Sequence, residues 1–126
     1  MVWRNAESEE LGSAAAIAAA RRALEEKGDF RWGNVPKLEA EFCALGLYTA
    51  SERFTAVDIA LSQIRPDGRC GPPPPGNKSL TYGGRPLYAF NWQSAEFGRL
   101  MYLKFCLAGT TGMDLLVLYS FHEDRP

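Results

Sequence analysis

Three runs near the end of the chain decide its fold: LYAFNWQ (Leu87–Gln93), LMYLKFCL (Leu100–Leu107) and LLVLYSF (Leu115–Phe121). Each alternates with period two. Tyr88, Phe90 and Trp92 oppose Leu87, Ala89 and Asn91; Met101, Leu103, Phe105 and Leu107 oppose Tyr102, Lys104 and Cys106; Leu115, Val117, Tyr119 and Phe121 oppose Leu116, Leu118 and Ser120. That is the pattern of β-strands, and Gly109–Gly112 supplies a hairpin turn. Ahead of the strands lies RPDGRCGPPPPGNKSLTYGGRP (Arg65–Pro86), a long irregular segment whose four consecutive prolines favour stiff polyproline II. Ahead of that the period changes to helical. Ser13–Lys27 is Ala-rich, with Ile17, Ala20 and Leu24 on one face and Gly28 as its stop. Asp29–Gly33 reads as a short extended link. Pro36 opens a second helix carrying Leu38, Phe42 and Leu45, which Gly46 ends. Thr49 and Glu52 have the spacing of a capping box, Phe54, Val57, Leu61 and Ile64 follow, and Pro66 closes the third helix. Helices first and strands after predict an α+β fold, N-terminal helices packed on a C-terminal antiparallel sheet, in one domain over 1–126 with residues 1–10 loose.

The composition narrows the function classes. Among 126 residues, 14 Lys and Arg balance 15 Asp and Glu, a net charge of -1, so no bulk attraction to nucleic acid is expected. The charge is uneven. Residues 1–64 carry seven basic and ten acidic side chains, whereas residues 65–104 carry Arg65, Arg69, Lys78, Arg85, Arg99 and Lys104 against Asp67 and Glu96. A confined basic patch acts within a Debye length whatever the total charge, so this middle is a candidate anion site. No apolar run approaches the ~20 residues of a membrane span. Acidic Glu7, Glu9 and Glu10 precede the Ala-rich stretch where an export signal needs positive charge, so a cytoplasmic protein is expected. Cys43, Cys70 and Cys106 are odd in number and widely spaced, which fits reduced thiols, with Cys43 and Cys106 buried and inert. With His122 they lack the paired spacing of structural zinc, and no metal or cofactor is expected. Gly71–Ser79 (GPPPPGNKS) imitates a phosphate loop, but Pro72–Pro75 have no backbone N–H groups to bind phosphate.

One constellation carries chemistry. Tyr102 and Lys104 share a strand face, and His122, the only histidine, ends the next strand. If the hairpin closes with Thr110 opposite Asp114, Tyr102 lies directly across from His122; a one-residue slip puts them on opposite faces. A histidine exchanges protons near neutrality, a phenol positions a phosphate oxygen, and Lys or Arg stabilises the charge that builds on phosphorus. That kit suits metal-free RNA cleavage by an adjacent 2′-hydroxyl. Tyr and Lys on a sheet face and a terminal His are also ordinary surface residues.

The order of short motifs resembles the MqsR-type mRNA interferase toxins of bacterial toxin–antitoxin systems, which have a RelE-like fold. The matching pieces are Glu26–Arg31 (EKGDFR), Leu45–Leu47 (LGL), Leu61–Ser62, Trp92–Gln93, Tyr102–Lys104 (YLK) and Ser120–Glu123 (SFHE, where the family has SFKE), spanning about residues 20–123. The resemblance implies an endoribonuclease acting on mRNA and a cognate antitoxin that neutralises it. Gln93, Tyr102 and His122 fall on functional positions of the family, with His122 in place of a lysine. A further family lysine past the third helix has no clean counterpart, and Arg65, Arg69, Lys78 or Arg85 are its stand-ins. The assignment expected from the sequence is His122 as general acid, Tyr102 orienting the phosphate, Arg85 and Lys104 stabilising the pentavalent oxyanion, and Gln93, Arg65, Arg69 and Lys78 holding substrate.

Two other classes compete. A non-catalytic binding module would dock a protein on the Pro-rich segment and exposed Tyr82, Tyr88 and Trp92. A DNA-binding regulator would use Pro36–Leu45 and Glu52–Ile64 as a helix-turn-helix. The second of those helices offers Arg53 as its only basic residue, so DNA binding by the chain itself is not expected.

Overall fold

The computed structural model describes residues 11–70, 85–109 and 115–124. The remaining stretches, and with them Lys78, Tyr82 and the Thr110–Asp114 closure, lie outside the described residues. The helices form where the sequence places them. α1 (Ser13–Lys27) ends on Gly28, whose φ of 64° lets its N–H bond Leu24 O at 2.9 Å. β1 (Arg31–Trp32) follows. α2 (Val35–Ala44) starts one residue ahead of Pro36, with the Asn34 side chain accepting from Lys37 N. α3 (Ala50–Gln63) carries the full capping box: Thr49 Oγ1 accepts from Glu52 N, and Glu52 Oε1 accepts from Tyr48 N and Thr49 N. A single 3-10 turn, Pro66–Gly68, links onward.

The strands β2 (Tyr88–Ser94), β3 (Arg99–Ala108) and β4 (Leu115–Glu123) make the expected antiparallel meander. The sheet as a whole is mixed rather than antiparallel. β1, read from sequence as a link, pairs parallel with β4 through Arg31–Val117 and Trp32–Leu118, giving the order β1-β4-β3-β2. Two residues give too short a pattern for periodicity to mark as a strand. All three helices contribute to one core on one face of this sheet, where Leu24, Leu38, Phe42, Val57 and Leu61 meet Phe90, Trp92, Leu103, Phe105 and Phe121. Tyr88 and Trp92 are 2% and 6% exposed, so they are core residues and not the docking surface that the binding-module reading required. Among the described residues no helix is long and apolar enough to cross a membrane.

β4 departs from simple alternation. Ala108–Leu115 through Phe105–Leu118 follow one register; Lys104–Ser120 through Met101–Glu123 follow another, shifted by one residue. Tyr119 is the extra residue of a β-bulge. Leu116, Leu118 and Phe121 therefore all reach the helix-side core, while Leu115, Val117 and Tyr119 join a second apolar cluster with Leu87 and Cys106 on the outward face. The expected grouping of Phe121 with Val117 and Tyr119 is thus corrected. Phe121 is held across the bulge by rings of Phe42, Trp92 and Phe97 at 5.6, 5.8 and 6.4 Å.

Candidate functional site

The bulge decides where His122 points. Continued without interruption, the register nearest the turn would set Tyr102 opposite Phe121. With the extra residue, Tyr102 pairs directly with His122. The two rings lie 5.1 Å apart between centroids, inclined by 33°. The pair expected from sequence forms, but by another route: Ala108 faces Leu115, one residue off the register that Thr110–Asp114 closure implies, and Tyr119 restores the offset.

Hydrogen bonding fixes the imidazole. His122 Nδ1 lies 2.7 Å from the carbonyl oxygen of Glu123. A carbonyl only accepts, so Nδ1 carries the proton and Nε2 is the basic nitrogen of the neutral ring. Beside it, burial raises the Tyr102 phenol above its ordinary value, with the Cys70 thiol and the carboxylates of Asp124 and Glu41 adding to the effect. Asp124 is anchored by the Asn91 amide, which donates to Oδ2 at 3.2 Å, and by its own N–H to Leu100 O at 2.9 Å. Asn91 is the partner of Tyr102 on β2.

α2 builds the opposite wall. Where β1 ends, Glu41 takes over the edge of β4: its Oε1 accepts the Phe121 N–H at 2.8 Å and its Oε2 accepts from Lys37 Nζ at 2.5 Å. Lys37 also donates to Ser120 Oγ at 2.8 Å and Tyr119 O at 3.3 Å. This strut holds both the bulge and the residue before His122. Lys104 pairs with Ser120 on the same face. Burial, and then the neighbouring Lys37 charge, push the Lys104 ammonium below its ordinary value, with Glu41 opposing. Between α2 and the strand ends opens a cleft of about 590 Å³, with Glu41, Arg99, Tyr102, His122 and Asp124 in its lining. Arg99 sits 3.6 Å from Glu123.

The other basic candidates lie apart from the pair. Arg85 lies three residues ahead of β2, whose first residue Tyr88 pairs with Phe105 toward the turn end of the strands, whereas Asn91, the partner of Tyr102, lies further along β2. Arg69 lies on the helix side, its guanidinium 5.1 Å from the Tyr88 ring and its Nη1 3.5 Å from Ser13 Oγ. Arg65 is 80% exposed and 3.8 Å from Asp67. Gln93 is exposed, two residues beyond Asn91 on the Tyr102 face. Among the described residues the basic side chains of the middle are dispersed, and Lys104 and Arg99 are the two of them nearest the pair in strand position and cleft lining. Arg53 is occupied as well: it pairs with Glu39 at 2.8 Å and lies 5.3 Å from the Trp32 ring.

Of the thiols, Cys106 is fully buried as expected. Cys43 is only half-buried, and the Glu39 carboxylate that accepts its S–H holds it above its ordinary value. Among the described residues no three His, Cys, Asp or Glu side chains group as metal ligands would.

Sequence reasoning missed Lys37, Glu41, Asn91 and Asp124. Period two would have found Asn91, which shares a face with Gln93. The Lys37–Glu41 spacing of four marks a helix-surface ion pair, but nothing in the sequence ties it to β4. No protein-family model, no curated protein and no solved structure matches the chain.

Proposed function

We propose that the chain is a metal-independent endoribonuclease that cleaves mRNA in the cytoplasm, a toxin held in check by a cognate antitoxin. The observation that carries the chemistry is the direct Tyr102–His122 pair in a cleft whose lining includes Arg99, with Lys104 two residues from Tyr102 on the same strand face. The motif order shared with the MqsR-type toxins supports the choice of substrate and the antitoxin.

In this reading the 2′-hydroxyl of a bound ribose attacks the adjacent phosphorus. Its proton passes to Asp124, since both oxygens of Glu41 are already engaged. As the 2′-O–P bond forms, the P–O5′ bond breaks, and His122, in its imidazolium form, donates its Nε2 proton to the departing 5′-oxygen. Tyr102 hydrogen-bonds a non-bridging oxygen, and Lys104 and Arg99 stabilise the charge on phosphorus. Arg99, which lines the cleft, is given the role that the sequence reading gave to Arg85. The products are a 2′,3′-cyclic phosphate and a 5′-hydroxyl.

A second reading, a non-catalytic protein-binding module, is favoured by the carboxylates of Glu41, Glu123 and Asp124 in the same cleft, which repel phosphate. Incubating purified protein with single-stranded RNA in EDTA separates the two. The nuclease reading expects fragments ending in cyclic phosphate and 5′-hydroxyl; intact RNA at micromolar protein would leave the binding module.

A further inference from the structure

On the helix side of the sheet, away from the Tyr102–His122 pair, a groove of about 360 Å³ runs between α3 and the β2–β3 turn. Its floor is Ala60 and Trp92, both buried, and its walls are Ala56, Ile59 and Phe97. The one polar atom of the indole is already satisfied: Trp92 Nε1 donates to Gln63 Oε1 at 3.0 Å. Gln63 Nε2 in turn donates to Glu96 Oε1 at 2.9 Å and holds that carboxylate at the rim. The groove is therefore apolar inside and acidic at its edge, where Glu52 is the second carboxylate, and its lining contains no Lys or Arg. The N–H groups of Tyr48 and Thr49 bonded to Glu52 lower its pKa and keep it ionised.

Length and charge identify the occupant. The lining follows α3 from Ser51 to Gln63, about 18 Å or three helical turns, which matches a helix laid alongside it. The side chains toward the groove mouth, Ser51, Thr55 and Ala56, are small enough to admit another helix at close range. A second copy of this chain fits poorly, because a two-fold interface would bring Glu52 and Glu96 of both copies together. We propose that this groove receives one amphipathic helix of a partner protein, its apolar side chains seated between Ile59 and Phe97 over Trp92 and its flanking Lys or Arg side chains meeting Glu52 and Glu96.

The probe is a synthetic helical peptide of about 15 residues with Leu at i, i+4 and i+7 and Lys on both flanks, titrated calorimetrically at low salt. Its control is the same peptide with Glu replacing each Lys. Saturable one-to-one binding of the Lys peptide is expected, with the Glu peptide, Glu96→Lys and Ile59→Asp each weakening it about tenfold or more. Glu96→Lys lies on an exposed turn and tests the groove even where Ile59→Asp lowers stability. Equal affinity for both peptides, undiminished binding to Glu96→Lys, absence of saturation, or self-association of the free protein that Ile59→Asp dissolves would each overturn the proposal. None of these readouts depends on RNA cleavage.

Discussion

The outward face of the sheet has two ends that differ in kind. Toward the β3–β4 turn, Leu87, Cys106, Ala108 and Val117 are buried together. Toward the other end the same strands present Asn91, Tyr102, Lys104, Ser120 and His122. Tyr119 marks the boundary, and the register shifts there by one residue. The apolar end is covered by hydrophobic side chains on both faces, so close packing rather than polar–apolar alternation sets its register. The polar end carries titratable groups with shifted proton affinities and depends on the bulge, the Lys37–Glu41 strut and Phe121 to hold its alignment. The fold thus separates what fixes the strands from what the strands present.

The largest change expected from breaking this division comes from Phe121, the core residue beyond the bulge. Phe121→Ala removes contacts to three rings and should cost about 3–5 kcal/mol in urea-induced unfolding. A loss below about 1 kcal/mol would mean that the bulge is anchored elsewhere. Next is Gly33. A Cβ there would meet the Tyr119 ring at 2.3 Å, so Gly33→Ala should push on the bulge residue and cost about 1–3 kcal/mol in the same assay, less if the ring swings aside.

The smallest effect has the opposite sign. Lys104 holds a charge that burial and Lys37 disfavour, so Lys104→Met should raise the melting temperature by a few degrees or less while weakening RNA cleavage. The pH dependence follows from the lowered value. The folded state releases the Lys104 proton more readily than the unfolded state does, so wild-type stability should gain on the variant as pH rises toward 10.5. Urea midpoints of the two proteins across the alkaline range check this; parallel curves would show that the charge is not strained.

Much of this architecture is legible in the sequence. The helix limits rest on strong local signals: alanine content, Gly28, the Thr49–Glu52 box and Pro66. The meander was legible from period two. The parallel β1 was not, because two residues are too few to show a period. Nor was the bulge. From Leu115 to Tyr119 both faces of β4 are apolar, so hydrophobicity alone does not say which of Phe121 and His122 belongs inside. The Tyr102–His122 pair was found from the right residues, but the one-residue shift that sets it is invisible to periodicity. Glu41 and Lys37 come from a helix some 80 positions away in the chain, as their bonds to Phe121 and Ser120 record. Arg69 shows the reverse failure: closeness in a charge count did not become closeness in space, because its guanidinium packs over the Tyr88 ring on the helix side of the sheet.

The most direct test of the account is the rate at which His122→Ala cleaves single-stranded RNA in EDTA, measured beside wild type after circular dichroism has verified the fold. Removing the proton donor from the Tyr102 pair should slow cleavage by ~10²–10⁴-fold with the helices and sheet intact. An unaltered rate in a folded variant would contradict it.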